Sequence, residues 1–174
     1  MVIQTALLII PPPNVQAFAA PLRKKYAPDY NMQGPAHITL FYPFVSPKEV
    51  PTSINLLRSL CSDVSPFKLR LDRYDHFETT QYLAPSDPEP ILSLHRLLRT
   101  AFPDCLPYEG QHGNELIPHL TLTHDEDPKE LEHIILPPVP SFTFLVDRLY
   151  LYIGPPEGNI PWIPVAIISL GVKM

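Results

Sequence analysis

Cysteine is scarce, with only Cys61 and Cys105 among 174 residues. Two cysteines cannot build a disulfide framework, and they sit in no CxxC or Cys/His zinc spacing, which fits a reducing compartment. Glycine is scarce as well: 6 glycines and 24 prolines together make about 17% of the chain, below the roughly 25–30% of low-complexity sequences. Positive charge is in deficit, since 13 Lys+Arg against 18 Asp+Glu leave a net charge of −5. Bulk attraction to nucleic acid or to an anionic membrane is thereby excluded, and any phosphate chemistry must be local. No uncharged run approaches the ~18 apolar residues of a membrane span without Pro or Gly interrupting it. The opening Met-Val-Ile-Gln-Thr-Ala-Leu-Leu-Ile-Ile lacks the basic segment of a signal peptide. The expectation is a cytoplasmic monomer, reaching the nucleus by diffusion if at all, with no membrane partner.

Apolar types make up 45% of the chain and charged types 18%, so the composition is that of a packed protein and not a disordered one. At this length one domain over residues 1–174 is expected, divided at most into two compact halves. Residues 2–10 are aliphatic and closed by three prolines, which predicts a buried strand. Asn14 is placed to cap a helix running to about Tyr26, and 36–42, bounded by Gly34-Pro35 and Pro43, read as a second strand. Helical spacing then covers 48–61, alternation covers 67–78, a short strand at Gln81–Ala84 forms a hairpin with it, and a helix spans 89–102. Residues 103–117 read as loop, followed by a strand at 117–123, a helix at 128–136 and strands at 141–153 and 163–170. Helices interspersed among strands favour an α+β fold with small antiparallel or mixed sheets.

One feature repeats. His37-Ile38-Thr39-Leu40 and His119-Leu120-Thr121-Leu122 share the order His, apolar, Thr, apolar, each at a predicted strand. A chain of this composition should hold about 0.07 such strings by chance, and it holds two. His76, His95, His112, His124 and His133 do not fit the pattern. In a strand, alternate side chains share a face, so His37 and Thr39 point one way and Ile38 and Leu40 the other, and likewise in the second string. Two such strands related by an approximate two-fold would line one groove with two imidazoles and two hydroxyls.

That set suits phosphodiester cleavage without a metal. One group must take a proton from the attacking oxygen and another must protonate the departing one. An imidazole with an ordinary pKa of about 6.5 can serve either purpose near neutrality. The threonine hydroxyls can donate to the non-bridging oxygens where charge builds. With their flanks, Pro-Ala-His-Ile-Thr-Leu-Phe-Tyr-Pro-Phe and Ile-Pro-His-Leu-Thr-Leu, the strings resemble the 2H phosphoesterases, in particular their 2′-5′ RNA ligase-like branch. The opening strand, Tyr82-Leu83-Ala84-Pro85 and the Phe102-Pro103 loop extend the resemblance. It implies a two-lobed, pseudo-symmetric α+β fold with sheets lining a central groove and helices outside. It implies a metal-independent cyclic phosphodiesterase without cofactor, acting on 2′,3′-cyclic phosphates of small nucleotides or RNA ends. His37 and His119 are then the acid/base pair, and Thr39 and Thr121 bind the phosphate. Two other functions stay open: a module that binds nucleotides or RNA ends without turnover, and the reverse, ligase-type reaction.

The remaining candidates have plain readings beside them. His37, His119, His124 and Glu115 in a metal site match no zinc spacing. Tyr42 and His124 each stand five residues after a motif histidine, at equivalent points on a groove rim or as core and surface residues respectively. Phe41 is open between base stacking and core. Arg23-Lys24-Lys25, the one basic run, reads as a solvated helix C-terminus complementing the dipole. Neither cysteine has a base nearby in sequence to make it a nucleophile.

Overall fold

The computed structural model describes residues 2–110, 113, 115–157 and 160–172, the side chains of 108 and 109 excepted; His112 lies outside that set. The chain runs β1 (Gln4–Ile9), α1 (Pro13–Tyr26), α2 (Pro28–Gln33), β2 (Ile38–Phe41), α3 (Val50–Cys61), β3 (Phe67–Phe77), β4 (Thr80–Pro85) and α4 (Glu89–Ala101). It continues through β5 (Leu120–His124), α5 (Pro128–Glu132), β6 (Phe142–Val146), β7 (Arg148–Gly154) and β8 (Ile163–Ser169). Proline stands in the first turn of each of these helices, where its missing N–H would have had no partner. For that reason α1 starts ahead of the expected cap. Pro12 is its cap residue, no side chain caps it, and Asn14 lies inside the helix. The short α2 buries none of its residues and so leaves no apolar periodicity to be read.

Two four-stranded antiparallel sheets result, ordered β2-β1-β7-β8 and β5-β4-β3-β6. The α+β expectation holds. The single strand expected over 141–153 does not, because the chain changes sheet at Asp147: β6 pairs with β3, and β7 pairs with β1. The inward parity changes there too, from Val146 on the even side to Leu149 and Leu151 on the odd side. The helix expected over 128–136 stops at Glu132. Leu136 precedes a proline, which disfavours helical backbone, and Ile135 is 90% exposed, so no burial would reward a further turn.

The halves repeat a unit of strand, helix and antiparallel edge strand: β1-α1-β2 and β4-α4-β5. Both motif strands are therefore sheet edges. Each unit sends its helix to the other sheet. Helix α1 packs on β5 and sets Phe18 edge-on to Phe142 of β6, with ring centroids 5.5 Å apart. From α4, the His95 ring lies 4.7 Å from Phe41 of β2. Apolar residues of both sheets, among them Leu7, Ile38, Leu40, Leu83, Leu120 and Leu122, join in one buried cluster. Leu83 has no exposed surface and lies opposite Leu120. Leu83→Ala should lower unfolding free energy by about 2–5 kcal/mol through lost burial and the cavity left behind, measured by urea denaturation.

Candidate active site

Each motif strand pairs regularly for two residues and then bulges. Ile38 and Thr39 oppose Ile9 and Leu8, after which Leu7 pairs with Phe41, so Leu40 is the extra residue. In the same way Leu120 and Thr121 oppose Leu83 and Tyr82, Gln81 pairs with Thr123, and Leu122 is extra. The bulge falls on the fourth residue of both motifs. A bulge turns consecutive side chains toward one side and breaks the alternation. Hence Leu40 and Phe41, and Leu122 and Thr123, are all buried in succession. Phe41 belongs to the core, against Phe44 and His95, and does not continue the Thr39 face. Thr123 spends its hydroxyl on Gln81 Oε1 at 3.0 Å. Thr39 and Thr121 stay half-buried, and among the described residues neither hydroxyl is taken by a protein hydrogen bond.

The histidines stand one residue ahead of their strands and are held alike. His37 Nδ1 lies 2.9 Å from the Pro35 carbonyl oxygen, and His119 Nδ1 lies 2.7 Å from the Ile117 carbonyl oxygen. A carbonyl only accepts, so Nδ1 carries the proton in both rings and Nε2 is the position left for exchange. Strands β2 and β5 approach across the gap between the sheets. The imidazoles are near enough for the charge of His119 to oppose protonation of His37. Burial is the larger cause, the Arg23 guanidinium comes second, and the Pro35 hydrogen bond works against both; the His37 pKa is pushed down to about 4. His119 is set against aromatic rings, with Phe77 at 5.0 Å in an edge arrangement and Tyr82 at 5.2 Å.

Several residues around the pair escaped the sequence reading. Gln16 of α1 brackets the residue before His37: its Nε2 donates to the Ala36 carbonyl at 2.8 Å, and its Oε1 accepts from the Ala36 N–H at 2.9 Å. Arg23, expected on a solvated face, is 2% exposed. Its Nη2 donates to the carbonyls of Tyr30 at 2.6 Å and Gly34 at 3.1 Å, whereas Lys24 and Lys25 are exposed as expected. The signal was present in the spacing, because Val15, Ala19 and Arg23 follow one another at four-residue steps along the buried stripe. Tyr42 and His124 occupy equivalent points after the two bulges. Tyr42 donates to Gln4 Oε1 at 2.7 Å, and His124 faces Tyr30, with Thr80 Oγ1 3.2 Å from its Nδ1. Among the described residues no three His, Cys, Asp or Glu side chains gather closely enough to hold a metal ion. Cys61 and Cys105 are both free thiols, and burial raises the pKa of each.

The pattern of the 2′-5′ RNA ligase superfamily matches residues 11–154, a span holding both motifs. The chain belongs to that family. Relatives by sequence include a Geobacillus kaustophilus protein described as a candidate phosphoesterase, 28% identical over 123 residues, covering 68% of each chain. Another, from Bacillus cytotoxicus and described in the same terms, is 30% identical over 117 residues, covering 67% of this chain and 66% of its own. By structure, TT0787 of Thermus thermophilus superposes with a TM-score of 0.70 at 19% identity, covering 98% of this chain and 100% of its own. Escherichia coli LigT, solved with 3′-AMP, gives 0.70 at 22% identity, covering 96% and 97%. These likenesses extend the two-sheet fold of the superfamily to nearly the whole chain.

The depressed histidines couple folding to pH. His95, 4% exposed, is pushed down to about 4 by burial and then by Arg99 and Arg96, matching His37. In the unfolded chain both titrate near 6.5, so below that pH the unfolded state binds more protons. Stability should therefore hold above about pH 6.5 and decline as the pH falls toward 4. Urea midpoints at pH 7.5, 5.5 and 4.5 should show this, with a flatter dependence in His95→Gln.

Proposed function

We propose that this chain is a metal-independent phosphodiesterase that opens 2′,3′-cyclic phosphates of nucleotides or RNA ends to linear phosphomonoesters. It acts as one domain of two halves, each half supplying one motif. The observation that carries this reading is the matched presentation of the two imidazoles. Both stand ahead of a bulged edge strand, and both have Nδ1 held by the carbonyl two residues back. Two pre-set rings from opposite halves suit a reaction needing a base and an acid on opposite sides of phosphorus. LigT has been crystallised with 3′-AMP and with phosphate, ligands of the same chemical kind as the expected product.

One imidazole takes a proton from water as the water oxygen bonds to phosphorus. The bond from phosphorus to O2′ or O3′ breaks, and the other imidazole, protonated at the start, gives its Nε2 proton to the departing oxygen. The two rings end with their protonation exchanged and return through solvent. Thr39 and Thr121 donate to the non-bridging oxygens, whose charge grows in the transition state.

Hydrolysis of the four nucleoside 2′,3′-cyclic monophosphates with EDTA present tests the reading. A bell-shaped rate profile is expected over pH 3.5–9, with its acid limb below pH 5 where the depressed His37 takes up a proton. His37→Ala and His119→Ala should each lower kcat/KM by about 10²–10⁴-fold. Thr39→Val and Thr121→Val should each lower it by about 10²-fold, with the fold intact. No turnover by a folded protein that still binds nucleotide would replace this reading with a binding module.

A further inference from the structure

We propose that Arg23 is a positioning residue of the active site, whose buried guanidinium splints the turn delivering His37 and sets a fixed positive charge behind it. On the cyclic phosphodiesterase reading, a cation on this side favours His37 as the proton acceptor, with His119 as the donor.

Three observations carry it. First, Nη2 of Arg23 bonds the carbonyls of Tyr30 and Gly34, the two ends of the segment that leads to Pro35 and so to the carbonyl holding His37. Second, this guanidinium is a buried cation with no carboxylate. Among the described residues none of the ion pairs includes Arg23, and its Nε is buried with no hydrogen-bond partner. A buried charge without a counterion is costly. Burial lowers its pKa only to about 10, so it is charged at neutral pH. Third, the other half carries a counterpart. Arg99 follows Ile91 and His95 on α4 as Arg23 follows Val15 and Ala19 on α1, and its Nε is also buried. Arg99 lines a cavity with Leu116, which stands as far ahead of His119 as Gly34 does ahead of His37.

The charges bearing on His37 come from two elements, Arg23 of α1 and His119 ahead of β5, and both oppose its protonation. Arg23 in turn faces Tyr30 of α2, whose hydroxyl has Glu126 and Asp29 around it.

The test is an NMR titration of the His37 ring in the full chain without substrate, its signal assigned by loss in His37→Gln. In the wild type the midpoint should lie well below 6.5. Arg23→Gln should raise it by about one pH unit, burial still holding it below the ordinary value. Arg23→Lys keeps a charge and should hold the midpoint low, while Arg96→Gln, on the exposed face of α4, should leave it unchanged. If Arg23→Gln does not fold, Arg23→Lys decides: a midpoint that rises toward 6.5 overturns the proposal. So does a wild-type midpoint near 6.5, or an unmoved midpoint in a folded Arg23→Gln. The titration needs no turnover, so it stands or falls apart from the proposed reaction. If turnover is found, the acid limb of kcat/KM should move to higher pH in Arg23→Gln by the same amount.

Discussion

Both motif strands are edge strands whose apolar residues are buried in one cluster shared by the two halves of the molecule, and the approach of the motifs depends on that constraint. Helix α1 leaves the first sheet to pack on β5 of the second, and α4 brings His95 onto Phe41 of the first. Burial of Ile38, Leu40, Leu120 and Leu122 in one shared cluster pulls two sheet edges together without letting them pair into a continuous ladder. An unpaired edge ordinarily invites association with another chain. Here the two edges approach each other, and Thr39 and Thr121 stay half-buried.

The bulges give that arrangement its chemical precision. Without them, simple alternation would carry Phe41 and Thr123 onto the same face as the motif threonines and crowd the groove. With them, the strands switch to buried residues at the fourth motif position, and the polar face is confined to one histidine and one threonine per half. The carbonyl of Pro35 or Ile117 then fixes the tautomer of each ring. Net charge plays little part: the molecule is acidic overall, and the cation that bears on His37 is a single buried guanidinium.

Much of this was legible in the sequence, and the failures have identifiable causes. Proline and glycine boundaries located the motif strands, and helical spacing located α3 and α4, because amphipathic burial imposes that period directly. The sheet change at Asp147 was missed although its trace was there: Phe142, Phe144 and Val146 fall on even positions, then Leu149 and Leu151 on odd ones. Arg23 was misread because a basic run near a helix end was assigned by charge and not by its phase on the buried stripe. Gln16 carried no signal, since a glutamine that brackets a distant backbone amide looks like any surface glutamine until the chain folds back on it.

The chemistry on offer is already set by the order of the residues. Two copies of His-apolar-Thr-apolar at strand-like positions specify which side chains share a face, because that depends only on the two-residue repeat of extended backbone. That order also determined the α+β class. That the two motif strands approach each other, and that the His37 pKa is lowered, were decided by tertiary structure alone. Proximity of residues far apart in the chain comes from helices packing on the opposite sheets. Depression of a pKa comes from desolvation and a buried neighbouring charge, and neither exists before the core has closed around them.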